Sequence, residues 1–190
     1  MPRISSTEVA YRGYVTVTRL TAEGGSGRLW RREVVDFGQS ACVLPYDPER
    51  RMALVVRLPR APLIAAGVAG ELAEAPAGML GPSETAQAAA RREALEEAGV
   101  VLVELQPVAV CWPSPGVLAE RSHLFLAPYH AADRTSAGGG LPDEQEDISV
   151  EEIPLANLWA LAESGALQDL KTLTLVLALR TRRPDLFAPP

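Results

Sequence analysis

Apolar residues in the first sixty positions follow strand-like patterns. Residues 11–20 alternate apolar and polar side chains, which is typical of a half-buried strand. A glycine-rich turn at 23–27 separates them from a second strand at 29–35, so a hairpin is predicted. A hairpin of this size is marginally stable alone and needs another surface to pack against. Continuous apolar runs at 40–44 and 52–56 then predict buried strands of a main domain.

Helical patterns dominate the middle and the end of the chain. The alanine-rich stretch within residues 78–100 predicts a helix, with Ser83 as its N-cap and Gly99 as its C-terminal stop. Two further helices are expected at 156–164 and 167–182. The remaining segments that predict strands are 71–75, 101–110, 124–129 and 148–153.

Three segments are predicted to lack regular structure. Residues 112–116 form a rigid loop, because two prolines fix their own φ angles and restrict their neighbours. Residues 131–147 form a long loop with a flexible glycine run at 138–140, and a loop of this length is usually functional or disordered. The tail from Pro184 is expected to be frayed.

Composition and charge indicate a globular protein rather than a nucleic-acid scaffold. The 190 residues suggest one domain with a small N-terminal addition, and 47% hydrophobic residues suffice for a sizeable core. The formal charge of −6 disfavours a nucleic-acid partner, which normally meets a basic surface. We expect no membrane partner either, because no run of 18 apolar residues occurs.

Cysteine and histidine usage also limits the chemistry. Cys42 and Cys111 each lie in an apolar, strand-like run, so two buried free thiols in a reducing compartment are expected. The N-terminal residues contain no apolar signal segment, and a cytoplasmic location is therefore predicted. With only two histidines in the chain, carboxylates must carry any metal chemistry.

Three carboxylates occupy one face of the predicted central helix. Glu93, Glu96 and Glu97 stand at i, i+3 and i+4, which places them within reach of one another. Like charges at this spacing destabilise a helix, so a cation should neutralise them, either an arginine or a divalent metal. Oxygen ligands favour Mg²⁺ or Mn²⁺. A solvated, charged helix face is the alternative.

Residues 78–100 also fit the pattern G-x5-E-x7-R-E-U-x-E-E-x-G-U, where U is aliphatic. This pattern resembles the Nudix box, although Ala94 is smaller than the usual aliphatic residue. The resemblance implies an α/β protein with the Nudix fold, an α/β/α sandwich with a mixed sheet, plus a small N-terminal sheet. The expected boundaries are 1–38 for the N-terminal sheet, 39–184 for the hydrolase domain and 185–190 for a frayed tail. The residues that match the fixed positions are Gly78, Glu84, Arg92, Glu93, Glu96, Glu97 and Gly99.

Segments outside the box resemble two subgroups of the family. Residues 74–78, E-A-P-A-G, and residues 114–120, S-P-G-x3-E, are similar to segments of ADP-ribose pyrophosphatases. Residues 137–148, with A-G-G-G followed by E-D-I, resemble a loop of bacterial GDP-mannose pyrophosphatases. The D-L-K-T sequence at 169–172 departs from the D-G-K-T typical of that second group, as does the Leu-Pro pair between Arg57 and Arg60.

The resemblance assigns the metal-binding and catalytic roles. Glu93 and Glu97 would be the principal ligands of two or more Mg²⁺ ions, with Mn²⁺ as a possible substitute. Glu96 and the Ala77 carbonyl would complete the cluster, and Arg92 would orient a glutamate.

Other residues are expected to act on water and substrate. Glu144 is the first candidate for the general base and Glu146 the second, the alternative being a solvated acidic loop tip. Arg57 and Arg60 end a core strand and are a candidate phosphate clamp, or else ordinary surface arginines. The candidate substrate-binding residues are Arg57, Arg60, Glu74, Pro115 and Glu120.

The expected activity is Mg²⁺-dependent hydrolysis of the pyrophosphate bond of a nucleoside diphosphate sugar. ADP-ribose would give AMP and ribose 5-phosphate, and GDP-mannose would give GMP and mannose 1-phosphate. The alternative is a Nudix domain that binds a nucleotide sugar as a sensor without hydrolysing it. The subgroup also implies a homodimer formed through the N-terminal sheet.

Overall fold

The chain forms two compact units, which are described separately. The computed structural model describes residues 2–68, 70–141 and 147–188. The N-terminal unit comprises residues 1–39 and 111–122, and the main unit comprises residues 40–110 and 123–190.

The N-terminal unit contains a three-stranded antiparallel sheet in the order β1-β2-β3. Its strands are β1 (Arg3–Arg12), β2 (Thr16–Glu23) and β3 (Leu29–Asp36). The sequence predicts only a hairpin here, because the segment that forms β1 is rich in polar residues. In the structure β1 is exposed along its whole length. The predicted strand at 11–20 was wrong in one respect, since it joins the end of β1 to the start of β2 across the bend at 13–15.

A second segment of the chain packs along β3 in the same unit. The Val35 N–H donates to the Val117 carbonyl and the Ala119 N–H donates to the Val35 carbonyl, both at 2.9 Å. The Ser114 carbonyl accepts from the N–H groups of Val117 and Leu118, at 3.1 and 2.9 Å. The predicted rigid loop therefore ends in a turn that is bonded to β3.

A six-stranded sheet organises the main unit, in the order β7-β8-β4-β5-β9 with β6 paired to β4. Its strands are β4 (Gln39–Asp47), β5 (Met52–Arg57), β6 (Ala77–Met79), β7 (Gln106–Cys111), β8 (Arg121–Pro128) and β9 (Ser149–Pro154). The predicted strand at 71–75 is wrong, because only single bridges occur there, at Glu71 and Glu74. The predicted strand at 101–110 begins five residues later than expected, at Gln106.

Four helices accompany the sheet: α1 (Ala61–Ala65), α2 (Ala86–Ala98), α3 (Leu155–Ser164) and α4 (Leu170–Arg182). The short α1 was not predicted. Short 3-10 turns occur at Ala131–Asp133 and Pro184–Phe187. The second turn buries Leu186 and Phe187, so the prediction that the tail is frayed from Pro184 was wrong. None of the helices in the described part of the chain is long and apolar enough to cross a bilayer.

Helix α2 owes its limits to two residues. The side chain of Thr85 accepts a hydrogen bond from the Ala88 N–H at 3.2 Å and caps the N-terminus. The predicted cap, Ser83, lies two residues earlier with a φ of 63°, outside the helix. Gly99 ends the helix in the left-handed conformation, with a φ of 68°, as predicted.

The core shows helices on both faces of the sheet. Because side chains alternate along a strand, one set faces α2 and the other faces away from it. Helix α3 contacts β5 and α4, and the buried residues of α3 and α4 do not belong to the cluster that packs with α2, so these two helices lie on the second face. The predicted α/β class, with a mixed sheet between helices and a separate small sheet, is confirmed. The set packed with α2 includes Ala41, Val43, Leu54, Val56, Phe125 and Ala127, and the alternate set includes Cys42, Leu44, Ala53, Val55, Leu124 and Leu126.

Candidate active site

The guanidinium of Arg92 lies among three carboxylates on and before α2. Its Nε and Nη2 donate to the two carboxylate oxygens of Glu84, each at 3.0 Å. Its Nη1 donates to Glu93 at 2.6 Å and to Glu96 at 3.1 Å. Hydrogen bonds to Glu84 are the largest cause that raises the pKa of Arg92 and lowers the pKa of Glu84. Arg92 therefore contacts all three glutamates at once, and its role in orienting them for catalysis stays a prediction.

Glu93 and Glu97 are buried carboxylates at the inner face of α2, with residue exposures of 8% and 5%. Glu97 accepts a hydrogen bond from the Ala77 N–H at 2.9 Å, so it reaches the turn that precedes β6. Gly78 lies directly against Glu93, and a Cβ at position 78 would overlap the Glu93 carboxylate. The glycine at the first position of the box is thus required by a close approach between backbone and carboxylate.

The donor chemistry of this cluster fits a hard divalent cation. Arg92 forms ion pairs with Glu84, Glu93 and Glu96, and Glu97 is the next carboxylate along α2. Carboxylate oxygens are hard ligands, which suit Mg²⁺ or Mn²⁺. Among the described residues, however, no three His, Cys, Asp or Glu side chains already converge on a common point. The ligand set of Ala77, Glu93, Glu96 and Glu97 stays a prediction.

The C-terminal end of α2 is bonded to the glycine run that follows Ala137. The N–H groups of Gly139 and Gly140 donate to the carbonyls of Glu97 and Glu96, at 2.9 and 3.0 Å. All three glycines have positive φ, at 73°, 110° and 77° for Gly138, Gly139 and Gly140. The prediction of a flexible run was wrong here, because these backbone groups satisfy the last carbonyls of the helix.

The candidate phosphate-binding arginines form ion pairs with carboxylates. Arg57, at the end of β5, donates to Glu151 at 2.8 Å. Arg60 makes two parallel hydrogen bonds with the buried Glu74, each at 2.9 Å. Two predicted substrate residues, Arg60 and Glu74, therefore contact each other. Their binding to a substrate stays a prediction.

A polar cluster of the buried Thr172 and the partly buried Asp169 and Lys171 contacts Ala75, just before β6. Sequence reasoning did not assign this cluster to the site. The Thr172 hydroxyl accepts from the Ala75 N–H at 2.7 Å and donates to Asp169 at 2.6 Å. Lys171 donates to the other oxygen of Asp169 at 2.8 Å. Burial raises the pKa of the nearby Cys42 thiol, Lys171 opposes that rise, and Asp169, Glu97 and Glu74 add to it. Cys42 is therefore within electrostatic range of both the D-L-K-T segment and Glu97.

The remaining candidate residues lie outside the part of the main unit that the structure describes. Pro115 and Glu120 belong to the N-terminal unit, where Glu120 accepts a hydrogen bond from the Ser122 hydroxyl at 3.0 Å. Glu144 and Glu146, the candidate general bases, lie outside the described residues.

Comparison with known proteins identifies the family. A family model described as the NUDIX domain matches residues 36–175. The chain therefore belongs to the Nudix family.

Curated relatives extend over most of the chain. A GDP-mannose pyrophosphatase of Citrobacter koseri is 36% identical over 158 residues, 83% of this chain and 81% of the relative. GDP-mannose pyrophosphatases of Salmonella paratyphi B and Escherichia coli are 36% and 34% identical over 163 residues, 85% of this chain and 84% of each relative. A solved structure described as an ADP compounds hydrolase has a TM-score of 0.77 and covers 97% of this chain and 95% of its own, at 19% identity. That likeness supports the fold alone, whereas the family and the relatives make the chain a Nudix hydrolase.

Proposed function

We propose that this Nudix hydrolase cleaves the pyrophosphate bond of a nucleoside diphosphate sugar in a Mg²⁺-dependent reaction. The observation that carries the proposal is the acidic cluster of α2, in which Arg92 orients Glu93 and Glu96 while Glu97 binds the Ala77 N–H. Such a cluster concentrates hard oxygen ligands beside a buried turn. All carboxylates of the box are present, which favours hydrolysis over binding as a sensor.

In this proposal Glu93, Glu96, Glu97 and the Ala77 carbonyl hold two or more ions. When bound, these ions neutralise the diphosphate charge and make a coordinated water more acidic. The chain's own contribution is to keep the ligands in place: Arg92 fixes two of the glutamates, and Gly78 lets the backbone approach Glu93. The diphosphate would be bound by Arg57 and Arg60, whose side chains are partly exposed and ion-paired with Glu151 and Glu74.

In this proposal a general base from the predicted loop at 131–147 removes the proton of the attacking water, with Glu144 as first candidate and Glu146 as second. Attack of the water oxygen on one phosphorus breaks the bridging P–O bond, and the proton passes to the base. The products are a nucleoside monophosphate and a sugar phosphate. Candidate contacts with the rest of the substrate are Glu74, Pro115 and Glu120.

Two substrates remain in the proposal, and the relatives' names favour one of them. GDP-mannose would yield GMP and mannose 1-phosphate, in line with relatives 34–36% identical over most of the chain. ADP-ribose would yield AMP and ribose 5-phosphate, in line with the E-A-P-A-G segment at 74–78.

Side-by-side assays test the proposal. Purified protein is incubated with GDP-mannose, ADP-ribose and capped RNA, with Mg²⁺ and with a chelator, and products are separated by ion-exchange chromatography. We expect nucleoside monophosphate from at least one nucleotide sugar, only with metal. Tight binding of a nucleotide sugar without product would instead favour a sensor. Release of a cap-derived nucleotide alone would favour RNA-end processing.

We further propose a homodimer formed through the N-terminal sheet. This sheet exposes Ile4, Val9, Tyr11 and Leu29, whose exposures are 60%, 48%, 57% and 61%. An exposed ten-residue edge strand such as β1 is an available surface for pairing with another chain. Light scattering at micromolar concentration should give twice the mass of one chain, and the mass of one chain would contradict the proposal.

A cytoplasmic location also stays a proposal. Both cysteines lie among the described residues and neither forms a disulfide, which is consistent with a reducing compartment.

A further inference from the structure

Thr172 connects the N-terminus of α4 to the turn that carries a predicted metal ligand. The residue is fully buried, with an exposure of 0%, and is the third residue of α4 after the N-cap Asp169. Its hydroxyl accepts a hydrogen bond from the Ala75 N–H at 2.7 Å. Ala75 is two residues before Ala77, whose carbonyl belongs to the predicted metal-binding set.

The direction of this hydrogen bond is fixed by Asp169. An ionised carboxylate can only accept, so the Thr172 hydroxyl must donate to Asp169 Oδ2, at 2.6 Å. The same oxygen accepts the Thr172 N–H at 2.8 Å, and Lys171 holds the other oxygen at 2.8 Å. With its proton committed to Asp169, the hydroxyl presents a lone pair to the Ala75 N–H.

Each residue of the turn at 74–77 has a separate anchor. Glu74 exchanges two backbone hydrogen bonds with Val56, at 2.8 and 2.9 Å, and the Pro76 carbonyl accepts from the Val43 N–H at 2.9 Å. The Ala77 N–H is bound by Glu97 at 2.9 Å. Strands β4 and β5 and helix α2 supply these anchors, and Thr172 supplies the anchor at Ala75. Removing the hydroxyl leaves a buried N–H without its partner, and the turn must shift to satisfy it.

We infer that Thr172 is a positioning residue, whose hydroxyl holds the turn at 75–77 so that the Ala77 carbonyl and the Glu97 carboxylate face the same metal ions. The inference rests on the proposed Mg²⁺-dependent function. Thr172 itself touches neither metal nor substrate. Its effect passes through the Ala75 N–H, along two residues of backbone, to the ligand set.

Two substitutions at position 172 separate the hydroxyl from the side chain's volume. Thr172→Val keeps the shape and removes the hydroxyl, whereas Thr172→Ser keeps the hydroxyl and removes the methyl group. Thr181→Val on the exposed side of α4 is the matched control, because the Thr181 hydroxyl donates to the Leu177 carbonyl of its own helix. Each protein is compared with wild type by Mn²⁺ titration, by kcat and KM, and by hydrogen exchange at the amides of 75 and 77.

We expect Thr172→Val to weaken Mn²⁺ binding or lower kcat by about tenfold, the low end for groups that orient metal ligands. KM should change less than kcat, and exchange should become faster at the two amides. Thr172→Ser should restore Mn²⁺ affinity and kcat to within about threefold of wild type, and Thr181→Val should match wild type. Wild-type affinity and kcat in Thr172→Val would overturn the inference, as would a Thr172→Ser variant as defective as Thr172→Val.

A second variant covers the case in which Thr172→Val does not fold. Asp169→Asn can donate from its amide, so it no longer requires the Thr172 proton and loosens the direction of the bond to Ala75. We expect weaker Mn²⁺ binding in this variant as well, and unchanged affinity would contradict the inference. Because Mn²⁺ titration and hydrogen exchange do not need turnover, a wild-type protein that binds the metal but hydrolyses no nucleotide sugar would count against the proposed function alone.

Discussion

The backbone N–H of Gly139 donates to the carbonyl of Glu97 at 2.9 Å, which ties the glycine run directly to the helix of the acidic cluster. Gly140 makes the equivalent bond to Glu96 at 3.0 Å. The segment that leads into the loop with the candidate bases thus starts from a fixed point on α2. The same two residues whose side chains are predicted to bind metal provide the carbonyls that hold this segment.

Replacing Gly138 should test how tightly this contact is packed. A Cβ at position 138 would overlap the Glu97 carbonyl oxygen, and the φ of 73° is unfavourable for a residue with a side chain. We expect Gly138→Ala to lower the free energy of unfolding by about 1–3 kcal/mol, measured by urea denaturation. Activity should fall as well, because the helix end must move.

Gly25→Ala is the control for that substitution. A Cβ at position 25 meets nothing within 4 Å. Its free energy of unfolding should therefore stay within about 0.5 kcal/mol of wild type. Equal stability of the two variants would show that the contact between the glycine run and α2 is not tight in solution.

Removing one carboxylate from α2 should weaken metal binding without unfolding the protein. In Glu97→Gln the amide oxygen can still accept from the Ala77 N–H, so the anchor of the turn is kept while the charge is lost. We expect Mn²⁺ affinity, measured by calorimetric titration, to fall by about tenfold or more. Glu163→Gln, on the exposed surface of α3, should leave the affinity unchanged. Metal binding equal to wild type in Glu97→Gln would remove Glu97 from the ligand set.

Sequence patterns predicted the elements that depend on local composition. The alanine-rich helix, its stop at Gly99 and the buried strands β4 and β5 follow from helix propensity, glycine geometry and continuous apolar runs. The contact of Arg92 with Glu96 also follows from spacing, because i and i+4 residues share a helix face, whereas its contacts with Glu84 and Glu93 do not.

Contacts between distant parts of the chain were not predictable from spacing. Thr172 and Ala75 are 97 residues apart, and no local pattern indicates that the hydroxyl of one binds the N–H of the other. The cap at Thr85 was missed because Ser83 is an equally good capping residue, and only the turn geometry selects between them. The glycine run at 138–140 was read as flexible because sequence cannot distinguish a mobile glycine from one held at positive φ.

A guanidinium at position 92 should be required, not merely a positive charge. Arg92 uses three nitrogen atoms to reach Glu84, Glu93 and Glu96 at once, a geometry that a lysine ammonium cannot span. We expect Arg92→Lys to lower kcat by about tenfold or more, since the misplaced carboxylates would no longer hold the metal ions in the productive position.

Arg91→Lys is a matched control on the neighbouring residue. Among the residues that the structure describes, Arg91 donates to the backbone carbonyls of Leu102, Val103 and Gln87, at 3.0, 2.8 and 3.3 Å, and not to the acidic cluster. Its kcat should stay within about twofold of wild type. Equal kcat in Arg92→Lys and Arg91→Lys would contradict the orienting role of Arg92.

Neutral substitutions at positions 144 and 146 should identify the general base. We expect Glu144→Gln to lower kcat by about tenfold or more, the low end of what a general base contributes, while Mn²⁺ binding persists. The ratio of the wild-type rate to the variant rate should be largest where the wild-type carboxylate is ionised, and it should diminish at high pH as hydroxide becomes available. Glu146→Gln, measured in parallel, serves as the comparison. A near-wild-type rate in Glu144→Gln together with a large loss in Glu146→Gln would transfer the role to Glu146.

The partly buried pair of Asp169 and Lys171 should contribute stability that is lost in acid. Burial opposes the charged form of Asp169, but the charge of Lys171 and the hydrogen bonds from Lys171 and Thr172 outweigh it and lower the pKa. A carboxyl whose pKa is lower in the folded state stabilises the protein above its unfolded-state pKa of about 3.9 and loses that effect as pH falls towards the folded-state value. The free energy of unfolding should therefore decrease in acid partly through Asp169.

Asp169→Asn removes this titration, so its unfolding free energy should be lower than wild type at pH 7 and should approach wild type as pH falls below about 4. The loss at pH 7 should be about 1–3 kcal/mol, the range for hydrogen bonds to charged groups. Asp185→Asn is the comparison, because its pKa is also lowered, by Arg183, but the pair is exposed to solvent and should contribute little. Urea denaturation from pH 7 to pH 3 measures both. A constant difference between Asp169→Asn and wild type across that range would show that the Asp169 carboxyl has the same pKa in the folded and unfolded states.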